Sequence, residues 1–129
     1  MKNVPQSYKI DRKNKLVISK AWGACTAFDV LEFREQVLHD DDFDPDFCQL
    51  VDVTRVTELD ITANEVRMLA EMSPFSTESR RALVAKTPLV FGFLRMFETM
   101  RSLRGEKFIR VFHDRNDAMA WLLAKDEAA

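Results

Sequence analysis

The sequence predicts an α/β fold: a mixed, largely parallel sheet of about five strands, opened by an antiparallel hairpin and covered by about four helices, in the order β-β-α-β-α-β-α-β-α. Three observations carry that expectation. Short apolar runs alternate with longer stretches of helical periodicity, the pattern of parallel strands joined by helical crossovers. The first two runs alternate apolar and polar residues around a polar turn, as a half-buried hairpin does. Finally, 129 residues that are 47% hydrophobic and 31% charged, with three glycines and four prolines, suit one globular domain rather than a linker-rich chain.

The elements follow in order. In "SYKIDRKNKLVISKAWG", Tyr8, Ile10, Leu16 and Ile18 alternate with polar neighbours on either side of a turn at Asp11 to Asn14. Thr26 can cap a helix whose apolar face is Ala27, Val30, Leu31, Val37 and Leu38. "HDDDFDPDF" ends it, since Pro45 and clustered aspartates suit a turn. "FCQLVDV" then reads as a strand covered on both faces. The polar stretch from Thr54 to Thr62 reads as the joint to the next helix, which opens on a capping box of Thr62 and Glu65 and presents Ala63, Val66, Leu69 and Ala70. "RALVAK" is a further buried strand. Thr87 followed by Pro88 starts a helix, because the hydroxyl caps free amides and proline at the first position sacrifices no hydrogen bond. That helix runs to about Arg104, Gly105 closes it, "KFIRVF" makes the last strand, and Ala118, Trp121 and Leu122 face inward from the last helix.

Composition and charge narrow the function classes. The apolar run "PLVFGFL" is far short of the roughly 20 residues of a membrane span. "MKNVPQSYKID" has no apolar segment of a secretory signal, so Cys25 and Cys48 are expected as reduced thiols in a cytoplasmic protein. The net charge of −2 disfavours nucleic acid as a partner. The charge is uneven: twelve acids against two arginines from Asp29 to Glu65, nine bases against three acids from Arg80 to Arg115.

No chemistry-bearing motif is complete. Asp42, Asp44 and Asp46 have the spacing of a calcium loop, but the glycine and glutamate it needs are replaced by Phe47 and Val53. His39, His113, Cys25 and Cys48 lack zinc spacing. There is no phosphate-binding glycine loop and no nucleophile elbow. The expectation is therefore no catalytic residue, metal or cofactor. What stands out is the helix "PLVFGFLRMFETMRSLR". Leu89, Phe93, Met96, Phe97, Met100 and Leu103 form one stripe, and Val90, Phe91 and Leu94 widen it beyond what one sheet face hides. The excess must meet another helix, a second subunit in a homodimer, or an apolar ligand.

The order of "KLVISKAWGACT", "DDFDPDFCQLVDVTRVTEL", "RRALVA", "LVFGFLRMFE" and "IRVFHDRNDAMAWL" resembles small stand-alone bacterial proteins related to anti-sigma-factor antagonists, the STAS domain, and to the CRAL-TRIO lipid-transfer fold. The resemblance implies a single STAS-like domain over 1–129. In that family the strand matching "QLVDV" leads to a helix start with an Asp-Ser-Ser-Gly motif whose serine accepts phosphate. Here "DITA" matches it, placing Thr62 as the candidate phosphoacceptor, with Ile61 and Ala63 at the other serine and the glycine. The resemblance also implies an apolar ligand between sheet and helices; since ligands of open α/β sheets settle at strand carboxyl ends and the 88–104 helix is over-apolar, the expectation is a small apolar or lipid-like ligand near both, lined by Phe91, Phe93, Leu94, Met96 and Phe97. The alternative is a regulatory protein docking on a rim of Thr54, Arg55, Thr57, Asp60 and Thr62.

Overall fold

The computed structural model describes residues 6–124; residues 1–5, on which the expectation about a signal segment partly falls, and 125–129 lie outside it. β1 (Gln6–Asp11) and β2 (Leu16–Thr26) form the antiparallel hairpin, its turn held by Asp11, which accepts bonds from the backbone and side-chain amides of Asn14 at 3.1 and 2.8 Å. α1 (Ala27–Leu38), β3 (Cys48–Asp60), α2 (Ala63–Glu71), β4 (Arg81–Val84), α3 (Pro88–Leu103), β5 (Ile109–Phe112) and α4 (Arg115–Leu123) follow. The five strands lie in chain order, β1-β2-β3-β4-β5, and every pair after the hairpin is parallel. This is the mixed sheet that the sequence predicts.

Each helix start is fixed by a side chain. Thr26 and Asp29 complete a capping box for α1, and Thr62 and Glu65 complete another for α2. Thr87 accepts from the Val90 amide with Pro88 at the first position of α3, and Asp114 accepts from Asn116 at the start of α4. Each such cap is worth about 1 kcal/mol, because it satisfies a donor the helix cannot. Gly105, at φ +95, ends α3 in the left-handed region that glycine enters without strain.

Sequential strand order has a geometric outcome. Right-handed crossovers that always step in one direction place their helices on one face. Accordingly α1, α2 and α3 share a face, and α4 alone packs on the other. Under α4 lie Leu16, Leu50, Ala82 and Val84, closed by Ala118 and Leu122. On the opposite face Cys25, Val56, Ala85 and Val90 form a second cluster.

Three local expectations need correction. Residues 54–60 are strand rather than joint: β2 is long enough for Trp22–Thr26 to pair with Arg55–Asp60, across two bulges, and the strand continues as a two-stranded extension beyond β4. Ala63 and Leu38 are exposed, since they sit at helix ends that project past the sheet. Leu89 and Leu103 are 64% and 83% exposed for the same reason, so they lie off the packed part of α3.

Tyr8 ties the hairpin to α1. Its hydroxyl donates to Asp40 Oδ2 at 2.8 Å and its ring meets Phe33 edge-on. Burial, and then Asp40, push the phenol from 10.0 up to about 12. Burial, and then Asp29, push the Cys25 thiol from 9.0 up to about 11. Both groups hold their proton more tightly when folded, so their stabilisation is complete below the unfolded values and is lost as pH rises through the folded ones. Urea midpoints are therefore expected to hold from pH 7 to about 9 and fall up to about pH 12, with Tyr8→Phe removing the upper part of the fall. An unchanged upper limb in that variant would show that the hydroxyl contributes nothing.

Candidate functional site

Between the sheet and its three-helix layer lies a cavity of about 190 Å³. Its floor is one face of the central strands: Ser19, Ala21 and Cys25 from β2, Gln49, Val51, Val53 and Leu59 from β3, Arg81 and Leu83 from β4. Alternation explains the selection, because Leu50, Ala82 and Val84 point instead to α4. Val30, Leu31, Phe33 and Arg34 of α1 and Val66 and Leu69 of α2 border it, as do Met72 to Phe75 of the following loop.

From α3 the bordering residues are Val90, Phe93, Leu94 and Phe97, an i, i+3, i+4, i+7 set on one side of the helix. Of the five lining residues expected from sequence, Phe93, Leu94 and Phe97 are therefore brought together at the cavity. Phe91 and Met96 are not, since each is about 100° of helical turn away from that side. Phe91 instead stacks on His113, with ring centroids 4.0 Å apart and planes 5° from parallel.

At the β4 end the cavity meets a buried charged cluster that sequence reasoning missed. Arg81, Arg101 and Glu106 are 5%, 7% and 2% exposed. Glu106 accepts from Arg81 Nη1 at 3.1 and 3.3 Å and from Arg101 Nε at 2.6 Å. Arg81 Nε also donates to Gln49 at 3.0 Å and its Nη1 to Ser73 at 3.1 Å, while Arg101 Nη1 donates to the Ala70 carbonyl at 2.5 Å. The Arg81 guanidinium is flanked by the Phe75 and Phe97 rings at 5.1 and 5.4 Å. Desolvation, and the nearby Arg101, make the protonated form of Arg81 harder to keep, while Glu106 opposes both. The sequence does carry a signal for Arg101. Eleven residues after Val90, it continues the buried side of α3.

The polar rim expected from sequence is dispersed. Thr54 folds back on Asp52, donating from Oγ1 and N at 2.7 and 3.0 Å, and Arg115 reaches the other Asp52 oxygen at 3.3 Å. Arg55, with Ser7, Lys20, Trp22 and Asp52, borders a separate cleft of about 330 Å³. Thr57 and Asp60 are exposed along the strand extension. Thr62 Oγ1 accepts from the Glu65 amide at 3.1 Å, and Glu65 Oε1 accepts from the Thr62 amide at 2.9 Å.

Among the described residues there is no cluster of three metal-ligating side chains and no helix long and apolar enough to cross a membrane. Cys25 and Cys48 are free thiols.

No protein-family model and no curated protein matches the chain. One solved structure that it resembles is an uncharacterised DUF3478-family protein with a SpoIIAA-like fold from Shewanella loihica PV-4. It is 21% identical with a TM-score of 0.59, over 95% of this chain and 98% of that one. At that identity the likeness establishes the architecture alone: this chain has a SpoIIAA-like, STAS-like fold.

Proposed function

We propose that this protein is a non-catalytic STAS-like module that binds a small apolar ligand between its sheet and α1–α3, in the manner of a reduced CRAL-TRIO fold. The observation that carries the reading is the cavity, about 190 Å³ and bordered mostly by aliphatic and aromatic side chains. The cavity is open to solvent on one side, and apolar walls left facing water forfeit both burial and dispersion energy. A ligand restores those contacts.

Size limits the class. A cavity of about 150 Å³ holds one benzene, and pockets for drug-sized ligands begin near roughly 300 Å³. A ring with one or two further carbons fits; a phospholipid or a long acyl chain does not. Most polar groups at the wall are occupied with one another: Ser19 donates to the Leu50 carbonyl at 3.1 Å, and Gln49 and Ser73 accept from Arg81. That supports binding rather than bond-making chemistry, and the two free thiols fit a cytoplasmic setting.

Docking of a regulatory protein at Thr62 has weaker support, because capping already engages that hydroxyl.

Titration with toluene or n-hexanol should raise the melting temperature, by the equivalent of about 2.7 kcal/mol at a hundredfold excess over Kd. Val51→Phe, which fills the cavity from its floor, should abolish the rise at an overpacking cost of about 1–3 kcal/mol. No shift with either probe, together with bare protein in native mass spectra of several preparations, would overturn the reading.

A further inference from the structure

We infer that the ligand is an anion: an apolar body about the size of one aromatic ring carrying a single carboxylate, with the carboxylate lodged against Arg81. The inference rests on the cavity reading above and adds the charge of the occupant. Among the described residues that border the cavity, the charged ones are Lys20, Arg34 and Arg81; no aspartate or glutamate borders it. In a chain with more acids than bases, that selection sets the sign of the field inside.

Arg81 supplies the contact. The buried cluster holds two guanidinium groups and one carboxylate, so Glu106, which both arginines engage, leaves one positive charge uncompensated. Of the nearby carboxylates, Glu71 pairs with Arg104 at the surface and the largely buried Glu98 pairs with Arg95. Arg81 donates to described partners through Nε and Nη1, leaving Nη2 over. No fully buried side-chain nitrogen or oxygen lacks a partner among the described residues, so Nη2 faces accessible space, and Arg81 borders the cavity. A buried cation with a spare donor at the wall of an apolar cavity is stabilised by an acceptor of opposite charge. The rings of Phe75 and Phe97 beside it give the apolar body its first contacts.

Arg34 stands on the same wall from α1, its charge partly offset by Glu35, 3.9 Å from Nη1. Its Nε donates to the Met72 carbonyl at 2.6 Å, which fixes its charged group beside the loop that borders the cavity. Lys20 is exposed and also borders the cleft on the other side, so its contribution is the smaller.

The test uses three probes of one skeleton: phenylacetate, its neutral amide phenylacetamide, and the cation phenethylamine, each titrated calorimetrically into the whole protein at pH 7. Phenylacetate should bind at least tenfold more tightly than the amide, and phenethylamine should not bind measurably. Arg81→Met leaves Glu106 paired one-to-one with Arg101 and should erase the carboxylate preference. If that variant fails to fold, the three probes on the unaltered chain still decide. Equal affinity for acid and amide would overturn the anionic assignment and leave the apolar cavity reading standing. Binding of none of the three would remove both.

Discussion

Replacing Glu106 with glutamine should destabilise the protein by about 3–5 kcal/mol, the cost of leaving a buried ion pair without one partner. The substitution keeps shape and most hydrogen-bonding capacity and removes only charge. Arg81 and Arg101 are then both more than nine-tenths buried, with no described carboxylate bonded to either. Two like charges in a low-dielectric interior repel. Single domains are held by about 5–15 kcal/mol in total, so the loss takes a large share of the stability. It should appear as a lower urea midpoint with an unchanged slope. A loss under about 1 kcal/mol would mean that water reaches the cluster and solvates the two guanidinium groups.

Leu50→Ala should cost about 2–5 kcal/mol on the other side of the sheet. Leu50 is 0% exposed near the start of β3, where the strand is paired on both sides, packed with Leu16, Ala82 and Val84 and closed by Ala118 and Leu122. All these neighbours are held by strand pairing or by the α4 backbone, so the site has little room to collapse and the cost belongs in the upper half of that range. Leu103→Ala, at a leucine 83% exposed, is the matched control and should stay within about 0.5 kcal/mol. Comparable losses from both would place the stabilising core elsewhere.

The element order and the starts of the first three helices were legible because they depend on local chemistry. Thr26, Thr62 and Thr87 cap helices through bonds to amides three residues away, and such spacing is visible in a string of letters. The strand extension was not legible. Whether Arg55–Asp60 is strand depends on a partner segment more than thirty residues earlier, and its polar composition carries no periodic signal.

The site divides in the same way. The wide apolar girth of α3 foretold a surface needing cover, and Phe93, Leu94 and Phe97 do border the cavity. Its phase did not show, because bulky residues surround the helix, and only the sheet determines that Val90 faces inward while Phe91 meets His113. Arg81 entered the sequence reading only as the first letter of the buried strand "RALVAK". Its burial depends on Glu106, twenty-five residues later, and no local pattern links the two. The expectation that ligands settle beyond strand ends also presumes a sheet whose order reverses. With strands in chain order there is no reversal; the cavity lies beneath the helices and reaches Cys25 and Leu59 near the carboxyl ends of β2 and β3.

That unreversed order also governs how the molecule is made. As the chain leaves the ribosome, each new strand meets a neighbour already synthesised, so the sheet grows at one margin and never waits for a later segment to be inserted. The exception is the last helix. Leu16, Leu50 and Val84 have no lid until Arg115–Leu123 has emerged, so the nascent sheet stays wet on that side after all five strands have been made.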